Sequence, residues 1–440
     1  MAFIHPHSCE CVKSELDLFS VPPTQTSIEA GAWIEYNPIS SLADGTPIEF
    51  TVGGSGQDYI DLASTQLYVQ AQVLRANDAA IDDTNLVAPT NLFMHSLFSE
   101  VDVKLNDTLV TSTTNMYPYR AYLETLLSYG PAAKKSQLTC AMYYKDSAGQ
   151  MEACDPTADP VVNAGMVRRH GLIAASRVVD MIGPLHNDLF FQDKFLPNDV
   201  TIRVRLICSK NSFCLMSGEA GAAYKVKILS CKLLVRKAKI NASVFLAHAK
   251  AVELNNFRYP LRRAITKSFT IARGHLTYSQ EAVISGQLPT RLVVGLVSNS
   301  AFNGAFAENP YNFKNYDLTQ LKVTLDGQQS QIRPIETNFA THQYVNAYMS
   351  LFSGLNKQGR DEGTDIERTD YPSGYTLYAL NLTPDLGETS HFQLTREGSL
   401  RIDLRFNTPL PVTVNVVVYC EFENVLEVDR NRSVLFDFTN

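Results

Sequence analysis

A strand pair followed by a helix occurs twice in this chain, and that repetition constrains the fold more than any other feature. The first copy, Phe98–Leu127, reads FSEVDVKLNDTLVTSTTNMYPYRAYLETLL. Val101, Val103 and Leu105 alternate with Asp102, Lys104 and Asn106, the period-2 pattern of a strand with one apolar face. Asn106-Asp107 supplies a turn, and Thr108-Leu109-Val110 a short return. Tyr119, Tyr122, Leu123, Leu126 and Leu127 then fall on one face of a helix, with Pro118 in its first turn and Gly130-Pro131 ending it. In the second copy Leu321, Val323 and Leu325 precede Asp326-Gly327, and Tyr344, Ala347, Tyr348, Leu351 and Phe352 repeat the helical spacing up to Gly354. A third echo sets Thr201–Leu206 (TIRVRL) beside Arg401–Phe406 (RIDLRF). Val101 and Leu321 are 220 positions apart, Tyr119 and Tyr344 225, Thr201 and Arg401 200. Three echoes in one order argue for a duplicated domain. The copies differ in one respect: 75 residues separate Leu127 from Ile202, against 50 between Phe352 and Ile402.

A chain of 440 residues suits two such domains better than one oversized core. With 45% hydrophobic and 19% charged residues and a mean hydropathy of −0.10, it falls among soluble globular proteins. A net charge of −7 argues against a chain-wide basic surface for gripping nucleic acid. No charged n-region precedes an apolar h-region, so no secretory signal is expected. The most apolar stretch, residues 292–306, is interrupted by Asn, Ser and Gly, which argues against a membrane span. Eight cysteines show no disulfide framework. Cys208, Cys231 and Cys420 lie in apolar strand-like runs, where a thiol serves as a small hydrophobe. A reducing compartment of synthesis follows.

The expected organisation is an N-terminal arm (1–45), a first β-domain (46–240), a linker helix (241–257), a second β-domain (258–430) and a C-terminal tail (431–440). The arm is poor in periodicity, yet Leu16, Leu18 and Phe19 form an apolar knot before Pro22-Pro23, which reads either as a loose terminus or as an arm that docks on a neighbouring subunit. Strands are expected at Ile48–Val52, Thr65–Leu74, Leu97–Leu105, Arg177–Ile182, Val200–Cys208 and Tyr224–Val235. The second half should place them at Ala264–Ile271, Arg291–Ser298, Leu318–Leu325, Gly374–Leu380, Ser399–Phe406 and Val412–Glu421. Ser243–Leu254 suits the linker helix. Residues 131–170 and 353–373 read as long loops lying outside the domain cores. Many short strands with one helix per half indicate paired β-sandwiches, and eight-stranded jelly rolls tolerate inserts of this length.

The usual reactive constellations are missing from the sequence: no G-x-x-x-x-G-K-[ST], H-E-x-x-H, G-x-S-x-G or C-x-x-C. His5, His7, Cys9 and Cys11 are zinc-type ligands, but their spacing is too tight for one chain to wrap a tetrahedral ion, and an unstructured terminus explains them better. Gly53-Gly54-Ser55-Gly56 lacks the lysine of a phosphate loop and reads as a turn. Asp82-Asp83 and Asp361-Glu362 sit in loop-like sequence as solvated pairs. Lys225, Lys227, Lys232, Arg236, Lys237 and Lys239, and then Arg258, Arg262, Arg263 and Lys267, flank the linker. Either they face packaged nucleic acid or they pair with carboxylates. No stacking aromatics interleave with the first cluster, so sequence-specific binding is not expected. No catalytic, cofactor-binding or metal site is assigned.

Several stretches resemble a known family. HSCECVKSELDLFSVPPTQTSI (His7–Ile28), NLFMHSLFSEVDVKLND (Asn91–Asp107), YPYRAYLETLLSYG (Tyr117–Gly130), NPYNFKNYDLT (Asn309–Thr319) and EVDRNRSVLFDF (Glu427–Phe438) are similar to the major capsid proteins of Polinton/Maverick and adintovirus-like elements. The resemblance spans essentially the whole chain. It implies an all-β double jelly roll, two tandem eight-stranded sandwiches each with a short helix and a long insertion, and a non-enzymatic structural role. It further implies pseudo-hexameric homotrimers that tile an icosahedral shell around a DNA genome. The partners it implies are neighbouring capsomers, a single jelly-roll penton protein and minor capsid proteins. The protein would be made in the host cytoplasm, assembled in the nucleus and located in the virion. The competing expectation is a glycan-processing or glycan-binding protein, since some deglycosylating enzymes also pair two jelly rolls. An enzyme of that kind calls for a signal peptide, disulfides and converging carboxylates, and the first two are missing from the sequence.

Overall fold

The computed structural model describes residues 4–43, 45–54, 56–158, 160–329, 333–386 and 391–436. Sixteen strands build two sandwiches in the same order. In the first half they are β1 (Ile28–Tyr36), β2 (Ile48–Val52), β3 (Asp58–Arg75), β4 (Phe98–Leu105), β5 (Thr108–Leu109), β6 (Val179–Pro184), β7 (Ile202–Cys208) and β8 (Tyr224–Ile240). The second half supplies β9 (Phe257–Ile271), β10 (Thr277–Gln287), β11 (Arg291–Ser298), β12 (Leu318–Leu325), β13 (Gln328–Gln329), β14 (Leu377–Asn381), β15 (Glu397–Phe406) and β16 (Val414–Val428). The first half forms sheets ordered β1-β8-β3-β6 and β2-β7-β4-β5, and the second forms β9-β16-β11-β14 and β10-β15-β12-β13. Adding eight to each label of the first pair gives the second. Each half is a closed-order, eight-stranded jelly roll, and the chain is an all-β double jelly roll.

The repeated element is present in both halves. Val103, Leu105, Leu321 and Val323 are buried, and helix α1 (Tyr117–Ser128) buries Tyr119, Tyr122, Leu123, Leu126 and Leu127. The second copy's helix, α4 (Val345–Ser353), buries Ala347 and Leu351, with Tyr344 at its N-cap. Between these two, α2 (Ala164–Ile173) lies in the first insertion and α3 (Ala242–Ala251) links the halves where the sequence places a helix. No helix among the described residues is long and apolar enough to cross a membrane.

Four expectations need correction. The stretch taken as an arm through residue 45 contains β1, which pairs with β8 from Ile28↔Ile240 to Tyr36↔Leu233. Thr277–Gln287, where no strand was expected, is the edge strand β10 and pairs with β15. Val434–Phe436, assigned to a tail, pairs with the end of β16, while residues 437–440 lie outside the described part. The insertion 131–170 is no plain loop: it holds helical turns at Pro131–Lys135 and Gln137–Ala141 as well as α2. It lies outside the sheets, but Ala141, Met142, Tyr143 and Met151 join the main core, as do Ile366 and Tyr371 of the second insertion.

That core runs through both halves. In β16 every residue from Val414 to Cys420 is buried, and in β11 every residue from Leu292 to Ser298. Strands covered on both faces read as unbroken apolar runs rather than as alternation. Strand β3, by contrast, alternates buried and half-exposed along its length. One face of the β9-β16-β11-β14 sheet packs within its sandwich; the other meets α1, which contacts β9 and β16, and Phe313, whose ring closes on Gly295. A Cβ at Gly295 would stand 2.6 Å from the Phe313 ring and 2.7 Å from Leu377. Gly295→Ala is therefore expected to lower stability by about 1–3 kcal/mol through overpacking. Denaturant unfolding of the variant checks this, and an unchanged midpoint would contradict the tight approach.

Candidate functional site

Four of the five family-like stretches meet where the two jelly rolls join. Tyr122 of α1 stacks on Tyr311 with ring centroids 4.1 Å apart and planes within 7°. Tyr119 stacks on Phe302 at 5.4 Å, with Phe213, Tyr311 and Phe313 edge-on around it. Offset and edge-to-face aromatic pairs of this kind add stability beyond the area they bury. His95 meets the Tyr117 hydroxyl at 2.9 Å and the His186 ring at 4.7 Å. Burial, with a smaller effect of His186, holds the His95 pKa well below its ordinary value. The C-terminal stretch returns to the first half: the Arg432 carbonyl accepts from Asn106 at 2.7 Å, and its guanidinium donates to Asn198 and lies over Phe257. His7–Ile28 is the exception; it stays outside the junction.

Beneath the aromatic layer lie two buried polar centres. At the first, Arg169 of α2 donates to Asp146 at 2.6 Å, and both side chains are 0% exposed. Asp146 also accepts from Asn163 (3.0 Å) and, across the junction, from Asn309 (3.2 Å), while Tyr375 donates to its backbone carbonyl. Arg169 is completed by the carbonyls of Pro89 and Tyr144. Full satisfaction is what makes a buried ion pair tolerable.

At the second centre, Arg120 donates to Glu124 (2.8 Å) and Asp188 (2.6 Å), and Asp188 also accepts the Ala264 N–H of the other jelly roll. His186 Nδ1 lies 2.6 Å from Glu124, and the Tyr419 hydroxyl 3.2 Å from it. Burial alone would raise the Glu124 pKa, but the Arg120 charge and the His186 hydrogen bond outweigh it and hold the carboxyl at about 2. Lysines tie the two insertions together. Lys134 donates to the carbonyls of Leu126 and Thr364, and burial pulls its pKa down to about 7. Lys145 pairs with Asp370 at 2.7 Å, and Lys357 donates to the Ser128 carbonyl.

A hydroxyl, an imidazole and a carboxylate do fall in series here. Thr125 Oγ1 stands 3.4 Å from His186 Nε2, and His186 contacts Glu124. Thr125 is 0% exposed and lines neither of the cavities that His186 lines, so the series has no approach for a substrate. It acts as an internal hydrogen-bond chain.

The residues singled out in the sequence lie elsewhere. His5, His7, Cys9 and Cys11 are exposed, and among the described residues no group of three or more His, Cys, Asp or Glu is arranged to hold a metal ion. Gly54 packs its backbone against Val200 at the turn between β2 and β3; Ser55 lies outside the described residues. Asp82, Asp83, Asp361 and Glu362 are exposed. Much of the basic cluster is paired: Lys225 with Asp78, Lys232 with Glu35, Arg236 with Asp61, Lys239 with Glu29 and Arg258 with Glu427, at 2.7–3.2 Å. Those five favour the pairing alternative. No disulfide joins any of the eight cysteines, and burial pushes the Cys231 and Cys420 thiols up to about 12.

The arrangement defines a double jelly roll whose halves are joined by a buried aromatic and ionic seam. Among solved structures the fold is shared with a chain of the Sputnik virophage determined by cryo-EM (TM-score 0.66, 10% identity, 99% of this chain and 94% of that one). It is also shared with the Faustovirus major capsid protein (0.58, 9%, 93% and 92%) and the mavirus major capsid protein (0.55, 13%, 100% and 96%). An uncharacterized protein of Caenorhabditis elegans is 26% identical over 430 residues, 95% of this chain and 99% of that one. No protein-family model matches the chain.

Two outcomes are expected at the seam. Arg169→Met strands Asp146 as a buried, under-paired charge and should cost about 3–5 kcal/mol in unfolding free energy; a loss below 1 kcal/mol would show that the pair is dispensable. The Arg120 charge and the His186 hydrogen bond hold Glu124 at about 2 against an ordinary 4.5, so its contribution to stability is fully present above pH 4.5 and lost as pH falls toward 2. Urea unfolding between those pH values should show a shallower acid slope for Glu124→Gln than for the parent. Identical slopes would sink the assignment.

Proposed function

We propose that the chain is a viral-type major capsid protein of the Polinton/Maverick class, acting by assembly and not by catalysis. Three copies would form a pseudo-hexameric capsomer, and capsomers would tile an icosahedral shell around DNA. The observation that carries this reading is the pair of topologically identical jelly rolls locked in one chain. Three such chains place six similar sandwiches around a closed three-fold axis, an outline that packs hexagonally. The likeness over 92% or more of both chains to the Faustovirus and mavirus major capsid proteins supports it, as do the family-like stretches gathered at the seam. A near full-length nematode relative fits an element carried in an animal genome.

In this reading apolar burial between subunits drives trimerisation, and more polar contacts between trimers keep shell assembly reversible. The partners are neighbouring capsomers, a single jelly-roll penton protein at the vertices and minor capsid proteins, with no sequence-specific hold on the genome. Synthesis takes place in the host cytoplasm, assembly in the nucleus, and the protein resides in the virion. Native mass spectrometry of the expressed chain should give a species three times 48.9 kDa, and electron microscopy should show hexagonal capsomers or shells. A protein that stays monomeric across concentration and ionic strength would overturn the proposal.

A further inference from the structure

The N-terminal arm and the linker helix carry exposed apolar surface of matching kind. Every residue from Ile4 to Ser27 is exposed, including Leu16 (68%), Leu18 (77%), Phe19 (96%) and Val21 (85%). A cluster of apolar side chains left in water within a few residues of one another marks a surface that another surface covers. An apolar groove of about 620 Å³ runs between α3 and the ends of β1, β8 and β9. Ile28, Phe195, Ile240, Val244, Val252 and Phe257 are among its lining residues, and Leu246 and Leu254 of the linker stand exposed at 67% and 87%.

We infer that this groove receives the Glu15–Val21 segment of a second copy of the same chain. Charge favours that occupant. The groove is lined by Lys194, Arg258 and His248 and by no Asp or Glu. The arm interleaves acid with apolar residues, Glu15-Leu16-Asp17-Leu18-Phe19, and its charged groups are Glu10, Lys13, Glu15 and Asp17, a net of −2 with His neutral. Glu427 pairs with Arg258, so the positive charge left at the rim is that of Lys194, held on the Arg258 carbonyl, and of Arg432, whose guanidinium lies over the lining Phe257. Geometry favours a neighbour over the arm's own groove. Pro22-Pro23 stiffens the exit in an extended form, and although Ile28, where the arm joins the body, lines the chain's own groove, every residue from Ile4 to Ser27 stays exposed, so the arm leaves that groove open. Phe19 and Ile28 are nine positions apart, a reach of about 30 Å when extended. The inference rests on the proposed assembly for the presence of a second copy.

The test places the photo-cross-linker p-benzoylphenylalanine at position 19, where full exposure leaves the fold untouched. Isotopically heavy and light full-length chains are mixed, assembled, irradiated and analysed by mass spectrometry. Links from position 19 of one isotope to residues 244–259 of the other are expected. Links confined to one isotope, links to another surface, or no links in assembled material would each overturn the inference. A chain that never assembles would overturn the capsid reading instead. Docking is then decided by titrating a labelled peptide of residues 12–22 onto the full-length chain: saturable binding, weakened at least tenfold by Phe19→Asp in the peptide and by Val252→Asp in the protein, supports the groove. Absent binding, or binding indifferent to both changes, refutes it.

Discussion

A guanidinium and a carboxylate removed wholly from water, Arg169 and Asp146, place the strictest demand in this structure. An apolar core accepts many combinations of side chains of roughly the right volume; a buried charge accepts only a completed set of partners. Asp146 and Arg169 both belong to the first insertion, yet the set is not complete within it. Asn309 of the second half supplies one donor to Asp146, and Tyr375 anchors the Asp146 backbone. The Arg120–Glu124–Asp188 centre follows the same logic, with Ala264 and Tyr419 contributed from the other jelly roll. Each half therefore leaves polar groups that only the other half satisfies, and the energetic unit is the pair.

This explains how duplication and asymmetry coexist. Strand order is identical in the two halves, because the strands of each sandwich pair only with one another and need nothing from outside to define their sheets. The seam has no such symmetry. It lies against the β9-β16-β11-β14 sheet of the second half, whose central strands are buried on both faces, and it uses α1 and the longer insertion of the first. A surface that faces solvent in one copy faces protein in the other. The 131–170 insertion is thus not an ornament on a loop but the material that fills the joint.

What could be read from the chain follows from how local each signal is. Alternation at Val101, Val103 and Leu105 and the helical spacing of Tyr119, Tyr122 and Leu123 are properties of neighbouring residues and locate the repeat to within a residue or two, while the apolar run Arg291–Ser298 and the strand Leu318–Leu325 match to the residue. Strand β1 (IEAGAWIEY) was hidden because Ala and Gly carry little strand preference and, as an edge strand, it presents hardly any buried pattern. Strand β10 (TYSQEAVISGQ) is another edge and is mostly polar. The insertion misled through composition: Gly, Pro and Asp suggest exposure, and nothing adjacent in sequence says that Asp146 will meet an arginine 23 positions on and an asparagine 163 positions on. The one signal that did point at the seam was indirect. The stretches that resemble the capsid family converge on it, with the arm as the exception.

That exception bears on how the chain divides its labour. The seam fixes the angle between the two sandwiches inside one chain, through partners that each half supplies to the other. The arm has the opposite character: stiffened at Pro22-Pro23, tied to the body at Ser27 and through β1, and carrying its apolar residues outward. In the proposed assembly a reaching arm lets the chain meet neighbours at slightly different angles, because the arm absorbs the difference while the body does not deform. The ionic seam that makes the body unyielding is what leaves that adjustment to the arm.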